Sequence, residues 1–216
     1  MLTIDRPTIM FRRLMFRLET KINHSRNEKT FDWYDRSYTM FSEVMDKHYT
    51  ESRYYPLWTV IADRIARADV RSILDVGCGP GQVAQLLYDR GLKDYVGLDF
   101  SPQRIGRARE ICPHYEFFVA DAFQTDLFEN GNYDCMLCME FLEHVNRDTD
   151  IIQRVRPGTY FIGTVPNFDY TSHVRYFTSS EEVDDRYRAY FDNFHVAEIL
   201  EDKHGKRYFL LEGIKR

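Results

Sequence analysis

From Val70 onward the chain alternates short apolar runs with segments whose apolar residues recur every three to four positions. The runs predict strands near Ser72 to Val76, Asp94 to Leu98, Tyr115 to Val119, Tyr133 to Met139, Thr159 to Val165, His195 to Glu201 and Lys206 to Ile214. Helices over Gln82 to Arg90, Pro102 to Ile111, Asp148 to Val155 and Ser180 to Asp192 separate them. Such alternation makes a mostly parallel sheet with helices on both faces, an α/β fold. The short turn Lys203-His204-Gly205-Lys206 predicts that the last two strands pair antiparallel.

Before Val70 the pattern is helical throughout. Phe11, Leu14, Met15, Leu18 and Ile22 recur at helical spacing, while Arg12, Arg13, Arg17 and Lys21 fall mostly elsewhere around the helix. This basic amphipathic helix suits packing on its own domain, docking on a second subunit, or docking on an anionic surface such as a membrane or nucleic acid. Asp5, Glu19 and Glu28 argue against a mitochondrial presequence. From Phe31 to Arg67 the helical pattern is rich in rings, among them Trp33, Tyr34, Tyr38, Phe41, Tyr54 and Trp58, which suit either a lid over a site or ordinary packing. The chain therefore divides into a helical extension and lid over residues 1–70 and an α/β domain over 71–216.

Composition narrows the class. With 216 residues, 44% of them hydrophobic and 29% charged, the chain is long enough for a substantial core. No apolar run approaches the ~18 residues of a membrane span. The net charge of −5 excludes broad nucleic-acid coating, but residues 1–30 hold seven Arg or Lys against three Asp or Glu, a balance of +4 that leaves −9 to the remainder. Cys78, Cys112, Cys135 and Cys138 lack the paired spacing of a structural zinc site and are expected to be buried reduced thiols. With no signal-peptide pattern, a cytoplasmic location is expected.

The chemistry concentrates where strands end. In LDVGCGPGQ, Leu74 to Gln82, an apolar strand runs into a turn with glycines at 77, 79 and 81 and then a helix, so the backbone can approach a ligand closely. No Lys-Ser or Lys-Thr follows, which excludes a phosphate loop, and Gln82 stands where a dinucleotide fingerprint wants glycine. Asp99 ends the second strand 22 residues after Gly77, where a carboxylate can accept both ribose hydroxyls of a nucleoside. Asp121 follows the third strand, placed to accept from an adenine amino group. Asp75 lies beside the turn and Glu140 ends the fourth strand. Four carboxylates around one cleft repel a pyrophosphate and suit a cationic adenosine compound, as S-adenosylmethionine is.

Through LDVGCGPG, YVGLDFS, VADAF and YDCMLCMEFLEHV the sequence resembles the class I S-adenosylmethionine-dependent methyltransferases, strongly over about Ser72 to Val165. The resemblance implies a Rossmann-like seven-stranded sheet, mostly parallel with the last strand antiparallel. It implies that Asp75, Gly77 and Gly79 hold the methionine end of S-adenosylmethionine. It likewise assigns Asp99 to the ribose, Phe100 to stacking near adenine, and Asp121 with Ala122 to the adenine edge.

In MEFLEHV, Glu140, Glu143 and His144 stand at i, i+3 and i+4, so a helix starting at Glu140 points all three the same way. Two carboxylates and an imidazole there can bind a divalent cation. The string is similar to that of the ubiquinone-pathway O-methyltransferases. It also resembles the metal-dependent methyltransferases of the 3′-terminal 2′-hydroxyl of small RNAs, in which a later histidine completes the site; His173 is the counterpart here. Metal binding, acid/base work and structure alone stay open for this cluster, with His144, His173 and Glu140 as catalytic candidates. Asn167, Tyr170, His173, Arg175 and Tyr176, in the polar segment after the fifth strand, are expected to face the substrate. A small-molecule acceptor methylated on oxygen is the leading expectation; an RNA 2′-O-methyltransferase with a divalent metal and a non-catalytic cofactor-binding subunit are the alternatives.

Overall fold

The computed structural model describes residues 10, 11, 13–16, 18, 26–200 and 204–216; Arg12, Arg17, Lys21, Ile22 and Lys203 lie outside them. Two helices, α1 (Phe31–Met45) and α2 (Tyr55–Arg67), precede an alternation of strands and helices. It runs β1 (Ser72–Val76), α3 (Gln82–Asp89), β2 (Asp94–Asp99), α4 (Pro102–Ile111), β3 (Glu116–Val119), α5 (Leu127–Asn130) and β4 (Cys135–Met139). It continues α6 (Asp148–Arg154), β5 (Tyr160–Pro166), α7 (Ser180–Tyr187), β6 (Phe191–Leu200) and β7 (Arg207–Lys215). The strands form one sheet in the order β3-β2-β1-β4-β5-β7-β6. Only β7 runs antiparallel to its neighbours, β5 and β6, as expected.

Both faces of the sheet are covered, which is why β1 is buried at every position. Helices α2, α3 and α4 pack on one face through Leu57, Ile61, Val83, Leu87, Ile105 and Ala108. Helices α5, α6 and α7 pack on the other through Phe128, Ile151, Ile152, Val183 and Tyr187. Along β4, Cys135 joins the first core and Cys138 the second, as an odd step along a strand requires. All four cysteines are buried free thiols.

The helix expected over Ser180 to Asp192 ends at Tyr187, and after a tight turn over Arg188–Tyr190 the strand expected near His195 begins at Phe191. Phe191 and Phe194, three residues apart, both enter the second core. A regular strand would turn them to opposite faces; the register shift between Asp192 and His195, with Asn193 at φ 52°, brings them to one. That bulge gives the segment a helix-like apolar period.

Ahead of α1, residues 10, 11, 13–16 and 18 have helical backbone. This segment is fastened to α1 by Phe16, whose ring lies 5.6 Å from Trp33 and 6.2 Å from Phe41. Arg13 adds hydrogen bonds to the Met40 carbonyl and to Glu43.

A buried ionic network braces the loops after β4 and β5. Asp148, fully buried at the start of α6, accepts from Arg186 at 2.7 and 2.8 Å and from the Tyr187 hydroxyl at 2.7 Å, with Arg175 3.4 Å away. Arg175 donates onward to the carbonyls of Leu142, Val145 and Asn146. Asp148→Ala leaves these guanidinium groups without their carboxylate and is expected to lower the unfolding free energy by about 3 kcal/mol, read from urea titrations.

Candidate functional site

The turn after β1 is held from the neighbouring strand: the amides of Gly77 and Cys78 both donate to the Leu98 carbonyl, at 2.8 and 3.0 Å. A Cβ on Gly77 would come within 2.8 Å of the Phe141 ring, so only glycine lets the chain leaving β4 pass. At Gly79, φ is +57° and a Cβ would meet nothing within 4 Å; the backbone there borders open space. The Gly79 amide donates to Asp99 at 3.2 Å, and the other oxygen of that carboxylate accepts from the Ser101 amide at 2.9 Å. Asp99 is 4% exposed, and burial raises its pKa against the opposing pull of Arg104, 3.9 Å away, and the two amides. Phe100 stays 37% exposed beside it. Asp121 is also exposed, its carboxylate accepting from the Phe123 amide and the Gln124 side chain, while Ala122 is buried under the turn.

Helix α1 forms a wall across these groups. Tyr34 is buried with its ring 5.2 Å from Phe100 and 5.9 Å from His144, and the Arg104 guanidinium lies 4.9 Å from its centroid. Ser101 donates to Asp35, and Thr39 meets Gln103 at 2.8 Å, strapping α1 to the start of α4. At its other side the Glu28 carboxylate accepts from the Asn146 amide, just past His144. Tyr54 and Trp58, by contrast, stack on each other and reach Tyr208, in line with ordinary packing.

Opposite the glycine turn, β4 ends in a sharp reversal. Glu140 adopts φ 49°, a strained left-handed conformation for a non-glycine residue, and its amide donates to Thr164 Oγ1, which donates back to its carboxylate. The helix expected from Glu140 is absent. A single tight turn over Leu142–His144 follows instead, and it is this turn, not a helix face, that turns Glu143 and His144 inward. Candidate ligand atoms of Glu143, His144 and His173 lie within 4.8 Å of one another; Glu140 stands outside that group, bonded to Thr164.

The protonation pattern of this cluster follows from its neighbours. Nδ1 of His144 faces the Ser172 carbonyl at 2.9 Å, and Nδ1 of His173 faces the Phe168 carbonyl at 3.1 Å. A carbonyl only accepts, so each Nδ1 carries the proton and each Nε2 presents a lone pair. Burial lowers His144 to about 3, helped by His173, and lowers His173 to about 4, so both rings are neutral at physiological pH. Glu143 is fully buried with neither carboxylate oxygen hydrogen-bonded, and burial, reinforced by Glu140, pushes its pKa well up.

Comparison with known proteins adds a second line. Residues 73–157 match the family described as a methyltransferase domain. The ubiquinone biosynthesis O-methyltransferase of Paraburkholderia xenovorans is 30% identical over 122 residues, 52% of this chain and 51% of that protein. The chain thus spans about half the length of such relatives. An O-methyltransferase family protein from Burkholderia thailandensis superposes with a TM-score of 0.69 at 15% identity, over 96% of this chain and 71% of that one. The N-methyltransferase NodS from Bradyrhizobium japonicum, solved with S-adenosyl-L-homocysteine, gives 0.59 at 17% identity over 75% of this chain and 87% of that one. Residues 73–157 are thus similar to a methyltransferase domain, and the solved neighbours share its fold.

Asp75, expected to hold the methionine end of a cofactor, lies within the sheet below the turn. Strand alternation turns it with Ile73 toward the α2–α4 face, where it is fully buried and accepts from the Tyr95 hydroxyl at 2.6 Å. Burial raises its pKa from an ordinary 3.8 to about 7, with Asp99 adding and Tyr95 opposing. From about pH 4 to about pH 7 the unfolded chain has lost a proton that the folded chain keeps, so stability falls with rising pH and then levels. Asp75→Asn, neutral throughout, is expected to flatten that decline in urea unfolding compared at about pH 4.5 and pH 7.5. Around the glycine turn the structure also gathers Tyr34, one of the rings expected to form a lid or pack, and Arg104 and Thr164, which local pattern did not mark.

Proposed function

We propose that this protein transfers a methyl group from S-adenosylmethionine to an oxygen of a small-molecule acceptor, in the crevice roofed by Tyr34. Residues 71–216 act as the cofactor-binding domain and residues 1–70 as its helical cover. The cofactor supplies a methyl carbon on a sulfonium, open to in-line displacement. The chain's own task is to bind, align and keep water out.

The residues present fit that cofactor. The open space at Gly79 admits a ligand against the backbone, and the Gly77 turn borders it. Asp99 keeps lone pairs beyond those given to Gly79 and Ser101, enough to accept from two ribose hydroxyls. Phe100 offers an exposed ring for adenine, with Asp121 and Ala122 at its edge. Asp75 supports the turn from below through Tyr95.

The observation that carries oxygen chemistry is the cluster on the facing wall: two imidazole lone pairs and a buried carboxylate without hydrogen-bond partners, beside the Tyr34 ring. Burial makes His144 and His173 weak bases, so at physiological pH they offer Nε2 lone pairs suited to a cation more than to a hydroxyl proton. Glu143, His144 and His173 together would hold a divalent cation, and two nitrogen donors favour a first-row transition ion over magnesium or calcium. Such an ion supplies Lewis acidity toward an acceptor hydroxyl. Glu140 and Thr164 position the turn that carries Glu143 and His144.

Asp99→Ala is expected to weaken S-adenosylhomocysteine binding in calorimetry by at least about tenfold, the loss of two hydrogen bonds to a charged group. Undiminished affinity removes the nucleoside assignment. Titration with Mn²⁺ is expected to give one site in the wild type that disappears in both Glu143→Gln and His173→Ala. Absence of Mn²⁺ binding, with turnover unchanged in chelator, removes the cation.

A further inference from the structure

We propose that the helical segment formed by residues 10, 11, 13–16 and 18 docks on an anionic lipid bilayer. Met10, Phe11, Leu14, Met15 and Leu18 are 76%, 63%, 54%, 49% and 43% exposed. They are five of the twelve large apolar side chains left exposed among the described residues, gathered on one short segment. Phe16 and Arg13 use the other side of the helix to bind α1, through Trp33, Phe41, the Met40 carbonyl and Glu43. The apolar row therefore faces away from the domain that carries it.

Charge identifies the occupant. Residues 1–30 carry +4 while the rest of the chain carries −9, so an anionic surface repels the body and attracts this end alone. Arg12, Arg17 and Lys21 are interspersed in sequence with the apolar residues. A bilayer accepts both kinds of group at one depth, apolar side chains in the acyl boundary and long basic ones reaching to headgroups. The docking requires nothing of the methyl-transfer chemistry.

Full-length protein sedimented with vesicles tests the docking. It is expected to bind vesicles containing about a third phosphatidylglycerol, to bind phosphatidylcholine alone at least about tenfold less, and to release in high salt. Phe11→Ser with Leu14→Ser alters exposed side chains only, and is expected to abolish vesicle binding with an unchanged thermal midpoint and unchanged S-adenosylhomocysteine affinity. Arg12→Gln with Arg17→Gln is expected to erase the preference for anionic vesicles. Three results overturn the docking: no vesicle binding by the wild type; a dimer that Phe11→Ser with Leu14→Ser converts to monomer without any vesicle effect; or capture of single-stranded RNA in place of vesicles.

Discussion

The position of β1 between β2 and β4 governs the rest of the molecule. The connection leaving β1 runs to α3 on one face of the sheet, and the connection leaving β4 runs to α6 on the other. A crevice opens between them at the carboxyl ends of the strands, as it does wherever parallel strand order reverses. The two departing turns nearly touch there, the Phe141 ring lying within 2.8 Å of where a Cβ on Gly77 would stand. Gly77 is thus a packing requirement of the crevice.

The crevice has walls of unlike chemistry. On the β1–β2 side are backbone amides and the Asp99 carboxylate, suited to a neutral or cationic nucleoside. On the β4–β5 side are two neutral imidazoles and the Glu143 carboxylate, suited to a hydroxyl or a cation. Tyr34 touches both, against Phe100 and His144, so α1 joins the two halves rather than merely covering them. Burying Asp75, Asp99, Glu143 and Asp148 is costly, and the costs are met differently. Asp148 is neutralised by arginines, and Asp75 is carried as a near-neutral acid on Tyr95. Glu143 has no hydrogen-bond partner, the condition expected of a ligand-binding group.

The extension ahead of the sheet separates two tasks on adjoining helices. Helix α1 turns Tyr34 toward the crevice, while Trp33 and Phe41 meet Phe16 of the preceding segment. The apolar row of that segment is left facing outward. Acidic body and basic end are consequences of the same division.

The alternation of strand and helix, the antiparallel ending, the glycine turn and Asp99 were all legible in the sequence, because each follows from local period or from residue type at a strand end. The β6 start was not, because the bulge at Asn193 gives Phe191 and Phe194 a helix-like spacing while they lie in a strand. Nor was the geometry of Glu140, Glu143 and His144: their spacing pointed to a helix face, but a left-handed residue followed by a tight turn separates Glu140 from the other two. His173 joins them from 29 residues away through the loop after β5, and Tyr34 from more than 100 residues away through α1. Side-chain chemistry and period are written residue by residue. Which distant side chains share a cavity depends on how layers pack, and only the tertiary structure decides that.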